Sequence, residues 1–174
     1  STTIYLREGK YVLDKPLMLT SDDGNDSKEL IIKNYPGEKT VLSSGIVLDL
    51  KWEKYKNGIM RAVVKGSPVM DMLFVNGELK SMARYPNYDE KAVRFNGTSA
   101  LATAPERVKK WKYPEGGYLH AMHKHDWGDF HYRITGKNEK GELQLEGGWQ
   151  NNRPMGIHNE NRMVENIFEE LDAP

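Results

Sequence analysis

Residues 3–11, Thr-Ile-Tyr-Leu-Arg-Glu-Gly-Lys-Tyr, set two short extended apolar runs, Ile4 to Leu6 and Tyr11 to Leu13, on either side of the turn Glu8-Gly9-Lys10. Apolar residues in runs this short, bounded by glycine and charge, are strands and not helices. The same style recurs at Leu17 to Leu19 and Leu30 to Ile32, with turns at Asp22 to Asp26 and at Tyr35-Pro36-Gly37-Glu38, and it stops near Gly45. Repeated strands of one style are how the coils of a solenoid read. A solenoid buries its faces only when about three or more coils stack, so residues 1–46 look like the first coils of something larger.

The pattern changes after residue 46. Leu48 to Trp52, Ile59 to Val64, Asp71 to Val75 and Leu79 to Arg84 are short runs bounded by Gly, Asn or Pro, which predicts antiparallel strands. Asn57-Gly58 and Asn76-Gly77 are hairpin dipeptides, because a type I′ turn needs positive φ at both central residues. Residues 86–116 carry Pro86, Pro105 and Pro114, with a helical candidate from Pro105 to Trp111 that has proline at its first turn. Three more strands follow, Gly117 to His123, Phe130 to Gly136 and Leu143 to Glu146, so a β-sandwich or small barrel is expected over residues 47–160. Near the end, Val164, Ile167, Phe168 and Leu171 recur at three- and four-residue spacing, which predicts a short amphipathic helix over Met163 to Leu171.

Composition removes several classes of function. The 174 residues hold 25 basic and 25 acidic side chains, interspersed, so the electrostatic footprint of a nucleic-acid-binding protein is missing and no such partner is expected. No apolar run approaches the roughly 20 residues of a membrane span. The chain opens Ser1-Thr2-Thr3 without a signal peptide, so any export signal would lie outside these residues. The absence of cysteine excludes disulfides, thiolate metal sites and cysteine nucleophiles. Phosphate loop, dinucleotide fingerprint and serine nucleophile elbow are absent as well, and no cofactor is expected. Four Trp and nine Tyr leave aromatic surface for flat ligands, sugars among them.

Three segments in order carry a resemblance. Thr3 to Tyr11 with Lys15-Pro16-Leu17, Tyr35-Pro36-Gly37-Glu38 and Leu42-Ser43-Ser44-Gly45 is the first; Leu73 to Glu78 followed by Ala83-Arg84-Tyr85-Pro86-Asn87 is the second; Glu146 to Arg153 leading to Val164 through Pro174 is the third. Together they resemble the N-terminal part of bacterial right-handed parallel β-helix proteins that act on carbohydrate, such as glycoside hydrolases of family 141. The resemblance implies first coils over 1–46, an inserted β-sandwich-like domain over 47–160, and a return toward the β-helix over 161–174. It further implies a secreted, periplasmic or cell-surface protein that meets oligosaccharide or polysaccharide. The remainder of the β-helix would bear the catalytic carboxylates.

Two stretches concentrate binding chemistry. Residues 120–131, His-Ala-Met-His-Lys-His-Asp-Trp-Gly-Asp-Phe-His, hold four of the five histidines. Were the run one strand, His123, His125, Trp127, Asp129 and His131 would share a face while Phe130, Tyr132 and Ile134 filled the core side. His-x-His with Asp129 fits a three-ligand metal site. Trp127 as a flat apolar platform flanked by His123, His125, Lys124 and Asp126 fits a sugar site; a surface strand with satisfied histidines is the third reading. The other stretch, Gly147-Gly148-Trp149-Gln150-Asn151-Asn152-Arg153, offers an indole, three amides that donate and accept at once, and a guanidinium able to pair a uronic-acid carboxylate. A structural loop with a packed Trp149 explains it equally. Substrate contact is therefore expected at His123, His125, Trp127, Trp149, Asn151, Asn152 and Arg153. Glycoside hydrolysis needs two carboxylates about 5–5.5 or 6.5–9.5 Å apart. Glu165, Glu169, Glu170 and Asp172 are plentiful acids near the expected return, with a solvated helix face as their ordinary role. Three roles stay open: part of a glycoside hydrolase groove, a non-catalytic carbohydrate-binding module, whether of a hydrolase or a polysaccharide lyase, and a structural cap on the first coil's edge.

Overall fold

The computed structural model describes residues 1–66, 70, 72–150 and 153–173, in two compact units, Ser1–Pro68 and Val69–Pro174. The protein is mainly β, with a single short α-helix among the described residues.

In the first unit, β1 (Thr2–Leu6) pairs in parallel with β3 (Leu30–Asn34), Ile4 opposite Ile32. Likewise β2 (Gly9–Val12) pairs in parallel with β4 (Thr40–Ser43), Tyr11 opposite Leu42. Each strand thus meets a partner about 30 residues further along, within the usual range of a solenoid repeat. The turn at Tyr35 to Glu38 is tied back to the first: the Arg7 guanidinium and the Glu8 amide both donate to the Glu38 carboxylate at 2.6–2.9 Å. These bonds hold that carboxyl below its usual range, Arg7 contributing most. β5 (Glu53–Lys54) and β6 (Met60–Arg61) form the hairpin announced by Asn57-Gly58, whose φ angles are +51° and +79°. Among the described residues of this unit none is buried, and Ile4, Val12, Leu17, Leu19, Val41 and Leu42 are all exposed.

The second unit begins with the hairpin of β7 (Leu73–Val75) and β8 (Glu78–Lys80), closed by Asn76-Gly77 at φ +54° and +86°, as the dipeptide requires. Then come β9 (Arg84–Tyr85), α1 (Pro105–Val108), β10 (Tyr118–His123), β11 (Asp129–Lys137), β12 (Leu143–Gly147), β13 (Trp149–Gln150), β14 (Arg153–Pro154) and β15 (Ile157–Glu165). Five of them make one antiparallel sheet in the order β12-β11-β10-β15-β9. Alternation along its strands turns Leu119, Ala121, Tyr132, Ile134 and Val164 to one face, where they are buried against Ala102, Val108, Trp111 and Ile167. Tyr132 and Ile134 therefore fill the core and Phe130 packs against it, as expected. The covering layer differs from that of a sandwich: it is the segment around α1 and the chain after β15, held by side-chain bonds to its free backbone groups. The Lys137 amine donates to the carbonyls of Val108, Lys109 and Trp111. The buried Glu170 carboxylate accepts from Trp111 Nε1 and Arg107, both at 2.7 Å.

The expected C-terminal helix is also replaced. Residues through Glu165 continue β15, and only Phe168–Glu170 forms a single 3-10 turn. Val164 and Ile167 do point into one core, but as a strand residue and a residue of the turn that follows; three-residue spacing across a strand end mimics a helical stripe.

Candidate functional site

The histidine-rich stretch is a hairpin and not a single strand. β10 ends at His123 and β11 starts at Asp129, with the His123 amide donating to Gly128 O and the Asp126 amide to His123 O, both at 2.7 Å. Asp126 takes the left-handed conformation at φ +57° that the tight reversal needs, a region short polar side chains tolerate. The expected common face of His123, His125, Trp127, Asp129 and His131 is consequently split: His125 and Trp127 sit in the turn, and His131 stands across from His120 on the neighbouring strand.

The turn is braced from two directions. The Asp126 carboxylate accepts from Arg94 Nη1 at 2.9 Å and from Asn161 Nδ2 at 3.3 Å, with His158 Nε2 at 3.8 Å. Behind Trp127, the buried His123 ring lies parallel to the indole, with centroids 4.9 Å apart and 12° between planes. Phe130 supports the imidazole from its edge at 6.2 Å, and His123 Nδ1 accepts from the His125 amide at 3.1 Å. Trp127 itself is 76% exposed. The result is an indole held flat on a fixed base and open to solvent. Burial pushes the His123 pKa down, and the nearby His125, Lys124 and Arg153 push it further, so the base of the stack is the neutral imidazole at neutral pH. With Nδ1 engaged, His123 is not poised as a metal ligand, and among the described residues no group of three His, Cys, Asp or Glu is arranged to hold an ion.

The Gly-Gly-Trp stretch reaches the same end of the sheet. Gly147 closes β12 and Gly148 turns at φ +66° with no room for a side chain: a Cβ there would stand 1.9 Å from the Tyr132 ring. β13 and β14 then pair Trp149 with Pro154 and Gln150 with Arg153. The Met155 amide returns to Gly148 O at 2.7 Å, Tyr132 Oη donates to Met155 O at 3.1 Å, and the Lys124 amide donates to Gly156 O at 2.9 Å. This seam lays the β13–β14 hairpin beside the β10–β11 turn and places Arg153 within electrostatic reach of His123. Trp149 is 65% exposed. Of the residues expected to contact substrate, His123, His125, Trp127 and Arg153 are thus gathered together, and Trp149 is carried on the same hairpin. Asn151 and Asn152 lie outside the described residues.

Sequence reasoning missed a second constellation, on the sheet face turned away from the core. Arg84 on β9, Glu165 on β15, His120 on β10 and His131 on β11 form a row across four adjacent strands. His120 Nε2 and Glu165 Oε1 are 2.7 Å apart, and the two imidazoles meet edge to face at 4.2 Å. Burial alone would raise the Glu165 pKa; the hydrogen bond and charge of His120, with Arg84 and His131 behind, bring it below the usual carboxylate value instead. The Arg84 guanidinium donates to the carbonyls of Pro86, Phe95 and Gly97 at 2.7–3.0 Å, stapling a loop in which Phe95, Asn96 and Gly97 all have positive φ. A signal for the His120–His131 contact does exist in the sequence, since a turn over 124–128 pairs those two positions; Glu165 required the partner strand. The other acids near the end of the chain are structural: Glu170 anchors Trp111 and Arg107, and Glu169 accepts the Lys112 amide at 2.8 Å.

No protein-family model matches the chain, and no curated protein matches it. A solved structure titled "Glycoside hydrolase" superimposes with a TM-score of 0.60 at 24% sequence identity, over 98% of this chain and 33% of that one. This likeness establishes a shared mainly β fold. The chain spans about a third of that protein's length.

Proposed function

We propose that this chain is the N-terminal portion of an exported glycoside hydrolase, in which the sheet end at Trp127 and the β13–β14 hairpin line one side of a glycan-binding groove. The observation that carries this reading is the exposed Trp127 indole, fixed by a parallel stack on the buried His123 with the His125 ring 5.6 Å away. A rigid aromatic surface with polar groups at its margin suits the apolar face and hydroxyl edge of a pyranose, since binding then orders little that was free before. Trp149 and, with it, Asn151 and Asn152 would extend the contact to further sugar units.

The first unit supports the same reading from another side. Two parallel strand pairs with a repeat of about 30 residues, carrying exposed apolar side chains and no buried one, are what the opening coils of a parallel β-helix look like before further coils cover them. The proposed order is first coils over 1–46, an inserted β domain from residue 47, and a return to the solenoid in 161–174, whose first residues still belong to β15. The catalytic carboxylates would lie on later coils of the longer protein, outside the cell or at its surface. A non-catalytic carbohydrate-binding module is the alternative.

Trp127→Ala and Trp149→Ala, titrated calorimetrically with oligosaccharides from plant and bacterial polysaccharides, test the reading. Affinity is expected to fall by about tenfold or more, a central-aromatic effect, with little change in unfolding temperature because both indoles are exposed. Binding unaffected by both substitutions would sink the proposal.

A further inference from the structure

Independently of any reading of Trp127, we infer that Asn57 and Asn76 are sites of spontaneous covalent modification, each converting to aspartate and isoaspartate, while Asn96 is protected by its surroundings. Asn-Gly occurs three times in the sequence, at 57–58, 76–77 and 96–97. The reaction open to each is the same. The glycine amide nitrogen, losing its proton, attacks the asparagine Cγ, the bond from Cγ to the side-chain nitrogen breaks, and ammonia leaves. Water then opens the succinimide ring at either carbonyl, so the products are aspartate and isoaspartate with no change of oxidation state. Glycine favours the attack because it has no side chain to shield its nitrogen and lets the backbone turn freely. In an unfolded chain the three pairs therefore react alike.

The folded chain separates them. Attack needs a glycine nitrogen free of an acceptor and a backbone able to swing it toward Cγ. Asn57 and Asn76 stand exposed at hairpin tips, with φ of +51° and +54°, followed by Gly58 at +79° and Gly77 at +86°. These turns close through the flanking residues, the Ile59 amide donating to Lys56 O at 2.9 Å and Val75 pairing with Glu78. The Gly58 and Gly77 amides accordingly have no acceptor among the described residues. The strands they join are two residues long in β5 and β6 and three in β7 and β8, and none of these residues is buried. A two-stranded hairpin without a core opens at little cost in free energy. Asn96-Gly97 has the opposite surroundings. The Gly97 amide donates to Arg94 O at 2.9 Å, and Asn96 O accepts from the Asp89 amide at 2.8 Å. The buried Arg84 guanidinium holds Phe95 O at 2.7 Å and Gly97 O at 3.0 Å. Gly97 is itself buried, and a Cβ on it would stand 3.2 Å from Asn87 O. Swinging the Gly97 nitrogen toward Cγ breaks these bonds together and strands a buried guanidinium, so the loop opens rarely.

The test incubates the full chain in mildly alkaline buffer, native and in denaturing urea, and follows the three sites by mass spectrometry of tryptic fragments, which cleavage at Arg61 and Arg94 keeps apart. In urea the three should convert at similar rates. In the native chain Asn57 and Asn76 should each convert at least about tenfold faster than Asn96. Each conversion adds one carboxylate to a chain that begins with 25 basic and 25 acidic side chains, so isoelectric focusing should resolve an acidic ladder of two steps. Asn57→Gly and Asn76→Gly, which keep a dipeptide suited to the turn, should each remove one step. Asn96 converting as fast as the other two in the native chain overturns the inference. So does either Asn57 or Asn76 persisting in the native chain while converting in urea. A native order of rates that merely repeats the order in urea overturns it as well, since the fold would then have decided nothing.

Discussion

Glu165→Gln isolates one charge in the row Arg84–Glu165–His120–His131. Glutamine keeps the shape and one acceptor toward His120 Nε2, so the change is the loss of a negative charge from a side chain only 18% exposed, at 2.7 Å from its imidazole partner and facing the buried Arg84. A hydrogen bond to a charged group contributes about 1.5–3 kcal/mol, and little of it is screened at this depth. For a unit of roughly 100 residues that predicts an unfolding temperature lower by about 6–20 °C at pH 7. The pH dependence gives the sharper discriminator. The folded-state pKa of Glu165 lies below the ordinary 4.5, so its contribution is fully present above that ordinary value and is lost as pH falls through the folded one. The gap between parent and Glu165→Gln should therefore close as pH falls through the folded Glu165 pKa. Urea midpoints of the two proteins, followed by tryptophan fluorescence from pH 7 downward, measure that gap directly. A gap that fails to close in acid, once pH has fallen through the folded Glu165 pKa, would refute the assignment of Glu165 as a charged partner of His120.

Glu170→Ala should cost about 3–5 kcal/mol, since it strands the buried Trp111 Nε1 and the Arg107 guanidinium that lies 3.2 Å above the Tyr85 ring; Glu169→Ala, which loses only one exposed bond to Lys112, should cost under about 1 kcal/mol by the same thermal melts. Gly148→Ala combines a left-handed backbone, worth about 1–2 kcal/mol, with a collision against Tyr132, and should both lower stability and weaken oligosaccharide binding by displacing the seam that seats β13–β14. His123→Phe should keep the stack under Trp127 and with it sugar affinity, while removing the stability loss that protonating a neutral buried imidazole imposes as pH drops below about 6.5.

Local chemistry made much of the fold legible. Asn57-Gly58 and Asn76-Gly77 announce their hairpins because few other dipeptides accept two positive φ angles in succession. Pro105 marks the start of α1, and the alternation of Phe130, Tyr132 and Ile134 identifies the core face of β11. The amphipathic stripe at 163–171 misled because Val164 and Ile167 enter the same core from a strand and from the turn after it. Spacing alone cannot tell these from one helical face.

For the candidate site, residue types were legible and arrangement was not. The sequence displays Trp127, Trp149 and Arg153 as exposed-ligand chemistry, and the structure keeps both indoles in solvent. That Trp127 rests on His123, that Arg153 comes within electrostatic reach of His123, and that Asp126 is drawn away toward Arg94 depend on the reversal at 124–128 and on the Gly156–Lys124 seam. The row from Arg84 to His131 depends on strand order, with residues 84, 165, 120 and 131 meeting only because β15 inserts between β9 and β10. By itself, then, the chain determines what many of its short segments are: strand, hairpin, left-handed turn, or aromatic left at the surface. The short opening strands at Ile4 to Leu6 and Leu30 to Ile32 could be recognised in the same way. Which segments become neighbours was decided by tertiary structure, because register and strand order are set by burying Leu119, Ile134 and Val164 together, and that energy resides in no one segment.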